Sequence, residues 1–291
     1  EQKMSEIVYV NGKYVAKEDA VISVFDRGFL MSDAVYEVAS VINGKLLDNG
    51  AHLARLDRSL GELSIKWPMP KDELVSHMEE LVKRNDLSEG LVYLQVTRGV
   101  APRDFSLPDV EPTLVMFTMV KSILASPAAD KGIRVITTPD IRWQRRDIKT
   151  TSLLAASMAR QEALNAGADD AWLVEDGHIT EGSSNNAFIV TTDGVLVSPS
   201  LARGMLHGIT RKAVLGLAEQ EGLKIEERPF TPDEAYQAAE AFSTSASSVV
   251  MPVVQIDDHI MSNGAPGPIA NKLRALYLKM AVEQGGVADN Q

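Results

Sequence analysis

Cysteine is absent from all 291 residues. That removes disulfides, thiolate metal sites and a cysteine nucleophile, and it fits a cytoplasmic enzyme. Positive charge is in short supply: 29 Lys and Arg stand against 40 Asp and Glu, a net charge of -11. A surface of that sign repels phosphate backbones and anionic lipid, so neither nucleic acid nor membrane is an expected partner. No apolar run in the chain reaches the roughly 20 residues of a membrane span. The opening E-Q-K-M-S-E-I-V-Y-V has no apolar signal core, which gives secretion no support. The five histidines, His52, His77, His178, His207 and His259, show no ligand spacing, so no metal site is expected. G-x-S-x-G, G-x-x-x-x-G-K-[ST] and G-x-G-x-x-G are all missing, which argues against a serine hydrolase and a nucleotide site. Repeats, low-complexity tracts and heptad seams are missing too.

What is present belongs to an ordinary globular protein, 45% hydrophobic and 24% charged, and long enough for two cores. Asn11-Gly12 and Asn43-Gly44 each lie between apolar runs and predict two-residue hairpins. Residues 51–64 and 71–84 have helical amphipathic spacing, with Pro68 and Pro70 between them. Strands follow at 91–98 and 113–120, joined by the long, proline-rich loop G-V-A-P-R-D-F-S-L-P-D-V-E-P. Loops of that length are more often functional than idle. Residues 121–131 resemble a linker, and I-R-V-I-T-T then predicts a strand. Asp176-Gly177 and Asp193-Gly194 mark two further hairpins, and helices are expected over 211–221, near 232–239 and over 268–283. The expected class is α+β with mainly antiparallel strands. Its divisions are a small N-terminal domain (1–121), an interdomain linker (122–130) and a larger domain (131–291).

The stretch from Asp147 to Gly167 carries the first chemical signal. From Ser152 onward Leu153, Leu154, Ser157 and Met158 recur at three- and four-residue spacing, which predicts a helix. Thr150, Thr151 or Ser152 can cap it, and Gly167 can end it. Lys149 then sits just before a helix N-terminus, beside Ile148. The helix dipole and partial burial both disfavour its ammonium form, and a lysine held partly neutral can form a Schiff base. The plain alternative is an exposed lysine.

In T-E-G-S-S-N-N-A-F-I-V (180–190) Glu181 precedes small polar residues and a strand. Such a carboxylate can keep a ring nitrogen protonated, as a pyridine cofactor requires, or it is only part of a polar loop. G-I-T-R (208–211) opens an apolar-periodic helix with Thr210 as its expected cap. Free amides there suit a phosphate monoester, although capping alone also explains the motif. Ser243–Ser248 is a second cluster of small donors, a phosphate cup or a polar turn. Arg103, in the proline-rich loop, can pair with a substrate carboxylate or stay solvated.

The motifs D-R-G-F, V-Y-E-V, H-L-A-R-L, V-T-R-G-V-A-P-R, D-I-R-W, D-I-K-T, A-R-Q-E-A, T-E-G-S-S-N-N-A-F and G-I-T-R occur in that order over nearly the whole chain. In order and spacing they resemble the D-alanine (D-amino-acid) aminotransferase branch of the class IV, fold-type-IV pyridoxal-phosphate enzymes. The resemblance implies a two-domain fold, with a small N-terminal α/β domain and a larger C-terminal pseudo-barrel domain. It implies pyridoxal 5'-phosphate as cofactor, an amino donor and a 2-oxo acid acceptor as substrates, and a homodimer with loops of both subunits at each site. By the same resemblance Lys149 is the Schiff-base lysine and Glu181 pairs with the pyridine nitrogen. Arg55 binds the phosphate, Ile209, Thr210, Ser245 and Ala246 complete its cup, and Leu206 packs on the ring. Tyr36 and Arg103 match two members of a carboxylate trap whose third member is normally a histidine.

That third position is Phe105 here, a donor replaced by an apolar ring. Met31-Ser32-Asp33-Ala34 departs as well from the F-G-D-G usual in D-amino-acid enzymes, and its Ser-Asp pair is similar to the (R)-amine transaminases. The leading expectation is transfer of an amino group from a D-amino acid to a 2-oxo acid such as pyruvate or 2-oxoglutarate. An (R)-amine or branched-chain transaminase is the alternative, followed by an aminodeoxychorismate lyase. A binding protein with a purely structural Lys149 is the non-enzymatic reading.

Overall fold

Asn11 and Gly12 take positive φ, 44° and 89°, and close β1 (Ile7–Val10) onto β2 (Lys13–Ala16). The Asn-Gly pair is what this tight turn demands. The structure, a computed structural model, describes residues 6–201 and 204–286, so the outer ends of both expected domains lie outside it. After α1 (Arg27–Met31), capped by Asp26, comes β3 (Ala34–Ile42), which Asn43-Gly44 turns into β4 (Lys45–Leu46). α2 (Asn49–Glu62) and α3 (Lys71–Arg84) follow, then β5 (Glu89–Thr97) and β6 (Thr113–Val120). The six strands form an antiparallel sheet in the order β2-β1-β6-β5-β3-β4. Leu56 and Leu60 of α2 and Leu74, Met78 and Leu81 of α3 share one core with Val35, Val92 and Val96.

The chain divides into two units. The first holds the described residues up to Ile123, the short stretch Ile148–Ser152 and the chain from Ala281; the second holds Leu124–Asp147 and Leu153–Met280. The second unit begins with α4 (Pro127–Lys131), a one-turn helix capped by Ser126 inside the stretch that resembled a linker. It continues through β7 (Ile133–Pro139), α5 (Leu154–Asn165), β8 (Asp170–Glu175), β9 (His178–Gly182), β10 (Asn186–Val190) and β11 (Leu196–Ser198). The rest is α6 (Ile209–Gln220), β12 (Ile225–Glu227), α7 (Pro232–Tyr236), β13 (Glu240–Ser245), β14 (Val249–Ile256), β15 (His259–Ile260) and α8 (Pro268–Gly286). Its nine strands run β12-β11-β10-β13-β14-β7-β8-β9, with β15 on β14. β7 pairs in parallel with β8 and β14, β11 with β12, and the other pairs are antiparallel. β9 ends this path, yet a short turn leads from it to β10 near the other end, and the two pack together. The sheet therefore curls. Trp172, Ile189, Val197, Phe230 and Val253 fill its core. No helix of the described residues is long and apolar enough to cross a membrane.

Two local expectations fail, each for a physical reason. The apolar face marked by Leu153, Leu154 and Met158 is not the one the fold buries: Leu154 is 75% exposed and Met158 54%. α5 instead turns Ala159 and Ala163 onto Ala171 and Leu173 of β8, where small side chains let backbone and sheet approach closely. The helix also starts later than expected. Its N-cap is Leu153, without a side-chain bond, and Thr150, Thr151 and Ser152 precede it. Lys149 is thus outside the first turn, where a helix dipole acts.

A buried ion-pair cluster anchors the first unit. Asp33 accepts from Arg27 Nε at 2.7 Å and from Arg98 Nε and Nη2 at 2.7 and 3.2 Å. Removing one partner of such a cluster strands the others without solvent. Asp33→Ala is expected to cost about 3–5 kcal/mol, read as a lower urea midpoint at unchanged slope. A loss below about 1 kcal/mol would show that the two arginines need no counterion.

Candidate active site

Lys149 is fixed through its backbone. Its carbonyl accepts from the Tyr36 amide at 3.0 Å, Thr151 N donates to the Ala34 carbonyl at 3.2 Å, and Ile148 is buried in the first core. The stretch thus lies along β3 like a short extra strand, with a bridge between Val35 and Thr150. This brings the half-buried Lys149 Nζ within 3.3 Å of Tyr36 Oη and 4.3 Å of the Tyr36 ring centre. Tyr36 stacks in turn on Tyr93, and Tyr93 on Phe117. Strand alternation therefore holds the Tyr36 ring in a ladder across three strands.

The next residue of β3, Glu37, points to the other face. Its carboxylate takes Arg55 Nε at 2.8 Å and Nη2 at 2.7 Å, and His52 Nδ1 lies 2.8 Å from it. All three side chains are less than a tenth exposed. Burial alone would raise the Glu37 pKa, but Arg55 and His52 overcome it and hold the carboxyl at about 2. Arg55, the expected phosphate ligand, is thereby oriented by a planar two-point pair.

In the second unit Glu181 is fully enclosed. Its Oε2 accepts from Arg142 Nη1 at 2.9 Å, and its Oε1 from Asn186 Nδ2 at 2.9 Å and the Leu206 amide at 3.0 Å. Burial pushes its pKa up, against the opposing pull of Arg142 and the Leu206 amide. Arg142 is held in turn by Asp140 at 2.9 and 2.7 Å, and Asp140 also accepts from Thr180 at 2.8 Å. Asn186 extends the network to the Leu206 carbonyl at 3.2 Å. A Cβ at Gly208 would come within 1.9 Å of Asn186 Oδ1 and displace the side chain that bonds Glu181.

Gly208, not Thr210, is the N-cap of α6, and it offers no side-chain bond. Thr210 is buried in the first turn, and Leu206 and Ile209 are half-buried. α6 packs against β13. At the end of that strand Ser245 Oγ lies 2.6 Å from Ser248 Oγ and 3.3 Å from Ser247 Oγ. Next to it Thr244 Oγ1 is buried with no partner among the described residues. An enclosed carboxylate, an uncapped helix end and a hydroxyl-rich hairpin beside an orphan hydroxyl fit the ring nitrogen and phosphate of a pyridoxal cofactor. Among the described residues no group of His, Asp and Glu is set to hold a metal ion.

Arg103 and Phe105 lie in the proline-rich loop between β5 and β6. Both are exposed, Phe105 at 83%, and the Arg103 guanidinium lies 5.7 Å from the Phe105 ring centre. No hydrogen bond joins Arg103 to Tyr36 among the described residues. Ser32, where the usual pattern has glycine, takes the left-handed position (φ 54°) that ends α1, and Asp33, which matches that pattern, is paired with Arg27 and Arg98. Sequence reasoning gave no role to Glu37, His52, Arg142 or Asn186. Each lies within or beside a quoted motif, but residue type alone does not separate a buried ion-pair partner from a surface charge.

Comparison with known proteins bears on the fold and the family. The amino-transferase class IV family matches residues 34–256. D-alanine aminotransferase of Bacillus licheniformis is 37% identical over 270 residues, 92% of this chain and 94% of that protein. The Staphylococcus aureus D-alanine aminotransferase is 34% identical over 276 residues, 94% of this chain and 97% of that one. Among solved structures, a T.th. branched-chain amino acid aminotransferase, complexed with N-(5'-phosphopyridoxyl)-L-glutamate, has a TM-score of 0.85 at 27% identity, covering 96% of this chain and 95% of that one. The Thermoproteus uzoniensis branched-chain enzyme with norvaline has a TM-score of 0.86 at 25% identity, covering 96% and 95%. Fold and site thus define a fold-type-IV pyridoxal-phosphate enzyme. The chain belongs to the class IV aminotransferases.

The Glu37 cluster has a measurable pH signature. Its folded pKa, about 2, lies below the ordinary 4.5. The stabilisation is therefore fully present above the ordinary value and lost as pH falls toward the folded one. Glu37→Gln should be less stable than wild type near neutral pH, with a gap in urea stability that narrows as acid is added. A gap independent of pH would contradict the ion pairing.

Proposed function

We propose that this enzyme is a D-amino-acid transaminase of the D-alanine type, passing the amino group to pyruvate, 2-oxoglutarate or a related 2-oxo acid. The observation that carries the reading is the likeness, at 34–37% identity over nearly the full length, to enzymes that are D-alanine aminotransferases. When bound, pyridoxal phosphate supplies an electron sink for the charge left as substrate Cα loses its proton.

The chain's own residues do the rest. Lys149 Nζ would hold the cofactor covalently and, as a free amine, would take up the proton from substrate Cα. Tyr36 Oη, 3.3 Å from that nitrogen, orients it. Glu181, backed by Arg142, keeps the ring nitrogen protonated. Leu206 packs on the ring, while Arg55, Ile209, Thr210, Ser245 and Ala246 take the phosphate. Tyr36 and Arg103 hold the substrate carboxylate, beside the apolar Phe105. The enzyme works in the cytoplasm.

A homodimer with loops of both subunits at each site completes the reading. Val21, Val24, Phe25, Phe29, Phe105 and Leu107 are all at least 60% exposed, and the two segments are joined where Ala101 N donates to the Phe25 carbonyl. Exposed apolar surface of this extent supports association with a second copy. Sedimentation should give twice 31.6 kDa; a fully active monomer would contradict it.

An (R)-amine transaminase is the second reading, favoured by Phe105 and by the Ser32-Asp33 pair. D-alanine, L-leucine and (R)-1-phenylethylamine added separately to the holoenzyme distinguish the readings. D-alanine should bleach the cofactor absorption fastest; faster bleaching by L-leucine or the aromatic amine overturns the D-amino-acid assignment. Arg103→Ala should raise KM for D-alanine about 10-fold or more while sparing amines without a carboxylate. Equal effects on both would remove Arg103 from substrate binding.

A further inference from the structure

The hairpin between β13 and β14 is closed by Ala246, Ser247 and Ser248, with Ser245 opposite Val249. Val249, the first residue of β14, takes the left-handed region with φ 61°, a conformation glycine occupies most easily, and its side chain is buried. A β-branched residue meets steric resistance in that conformation and keeps it only where its surroundings enforce it.

The enforcing group comes from α8. Arg274, 8% exposed, directs a single guanidinium nitrogen, Nη1, to the Ser248 carbonyl at 2.7 Å and the Val250 carbonyl at 3.1 Å. Ser248 and Val250 are the residues on either side of Val249, so one buried cation holds the backbone before and beyond the strained residue. On the other arm of the same turn the Ser248 amide donates to Ser245 Oγ at 3.2 Å, and the hydroxyls of Ser245, Ser247 and Ser248 gather within hydrogen-bonding distance. A turn free to relax at Val249 would let these donors diverge.

We propose that Arg274 is a positioning residue for an anion-binding turn: by holding Val249 left-handed, it presets the Ser245–Ser248 donors for a phosphate monoester. The proposal rests on the reading above, in which Ser245 and Ala246 take the cofactor phosphate. Arg274 itself need not touch the anion. Its effect is preorganisation, so it acts on the phosphate-bearing ligand and not on the ring.

The test compares binding of pyridoxal phosphate with that of pyridoxal, which lacks the phosphate, to apoprotein by tryptophan fluorescence. Wild type should prefer the phosphate ester strongly. R274L should lower that preference at least tenfold while leaving pyridoxal affinity within about twofold. R274K, whose ammonium can reach the same two carbonyls, should keep most of the preference. Adding V249G to R274L should restore it, because glycine takes the left-handed conformation unaided. Equal weakening of both ligands in R274L, or no recovery in the double variant, overturns the clamp. Should R274L not fold, the double variant decides: folded protein with restored preference supports the clamp, and loss of folding or of preference overturns it. Wild type without any preference for the phosphate ester would instead overturn the phosphate reading, and the proposal with it.

Discussion

A carboxylate removed from water must be met by donors, and Glu181 is met by three. Much of the second unit follows from that requirement. Arg142 reaches Glu181 because Asp140 holds the far side of its guanidinium, and Asp140 is steadied by Thr180, one residue before Glu181. Asn186 bridges from Glu181 to the Leu206 carbonyl and comes so close to residue 208 that a Cβ there would displace it. The start of α6 is therefore set by the same carboxylate. In G-I-T-R the glycine answers to Asn186, and the absence of a side-chain cap leaves the helix end to another anion.

The first unit uses a different device. Among the described residues Lys149 is held not by a charge partner but by strand-like pairing along β3, which also places Tyr36 beside it. Glu37, one residue on, falls on the opposite face and orders Arg55 through a planar pair. One strand thus places Lys149 beside Tyr36 on one side and Arg55 against Glu37 on the other, an outcome of the two-residue alternation of β structure. The proline-rich loop is tied down separately, where Arg27, pinned by Asp33, donates to the Asp104 carbonyl at 2.7 Å.

What the sequence made legible had local causes. Asn11-Gly12, Asn43-Gly44 and Asp176-Gly177 turn where they stand because few other pairs accept two positive φ values. α2 and α3 bury the stripes their spacing marks. α5 misleads because its leucines face outward while alanines meet the sheet, and apolar spacing does not say which neighbour it serves. For Lys149 the helix-dipole argument fails and partial burial holds, but its setting depends on contacts with residues 34–36 that no local pattern encodes. Glu37, Arg142 and Arg274 were illegible for the same reason: burial creates their roles. Val249 is the sharpest case, since valine is a strand former everywhere except at the left-handed position it occupies.

The central claim is that Lys149 carries the cofactor. Borohydride reduction of the holoenzyme, followed by proteolysis and mass spectrometry, reads this directly. The account predicts one phosphopyridoxyl modification per chain, on the peptide containing Lys149. Modification of another lysine, or reduced protein without bound cofactor, would contradict it.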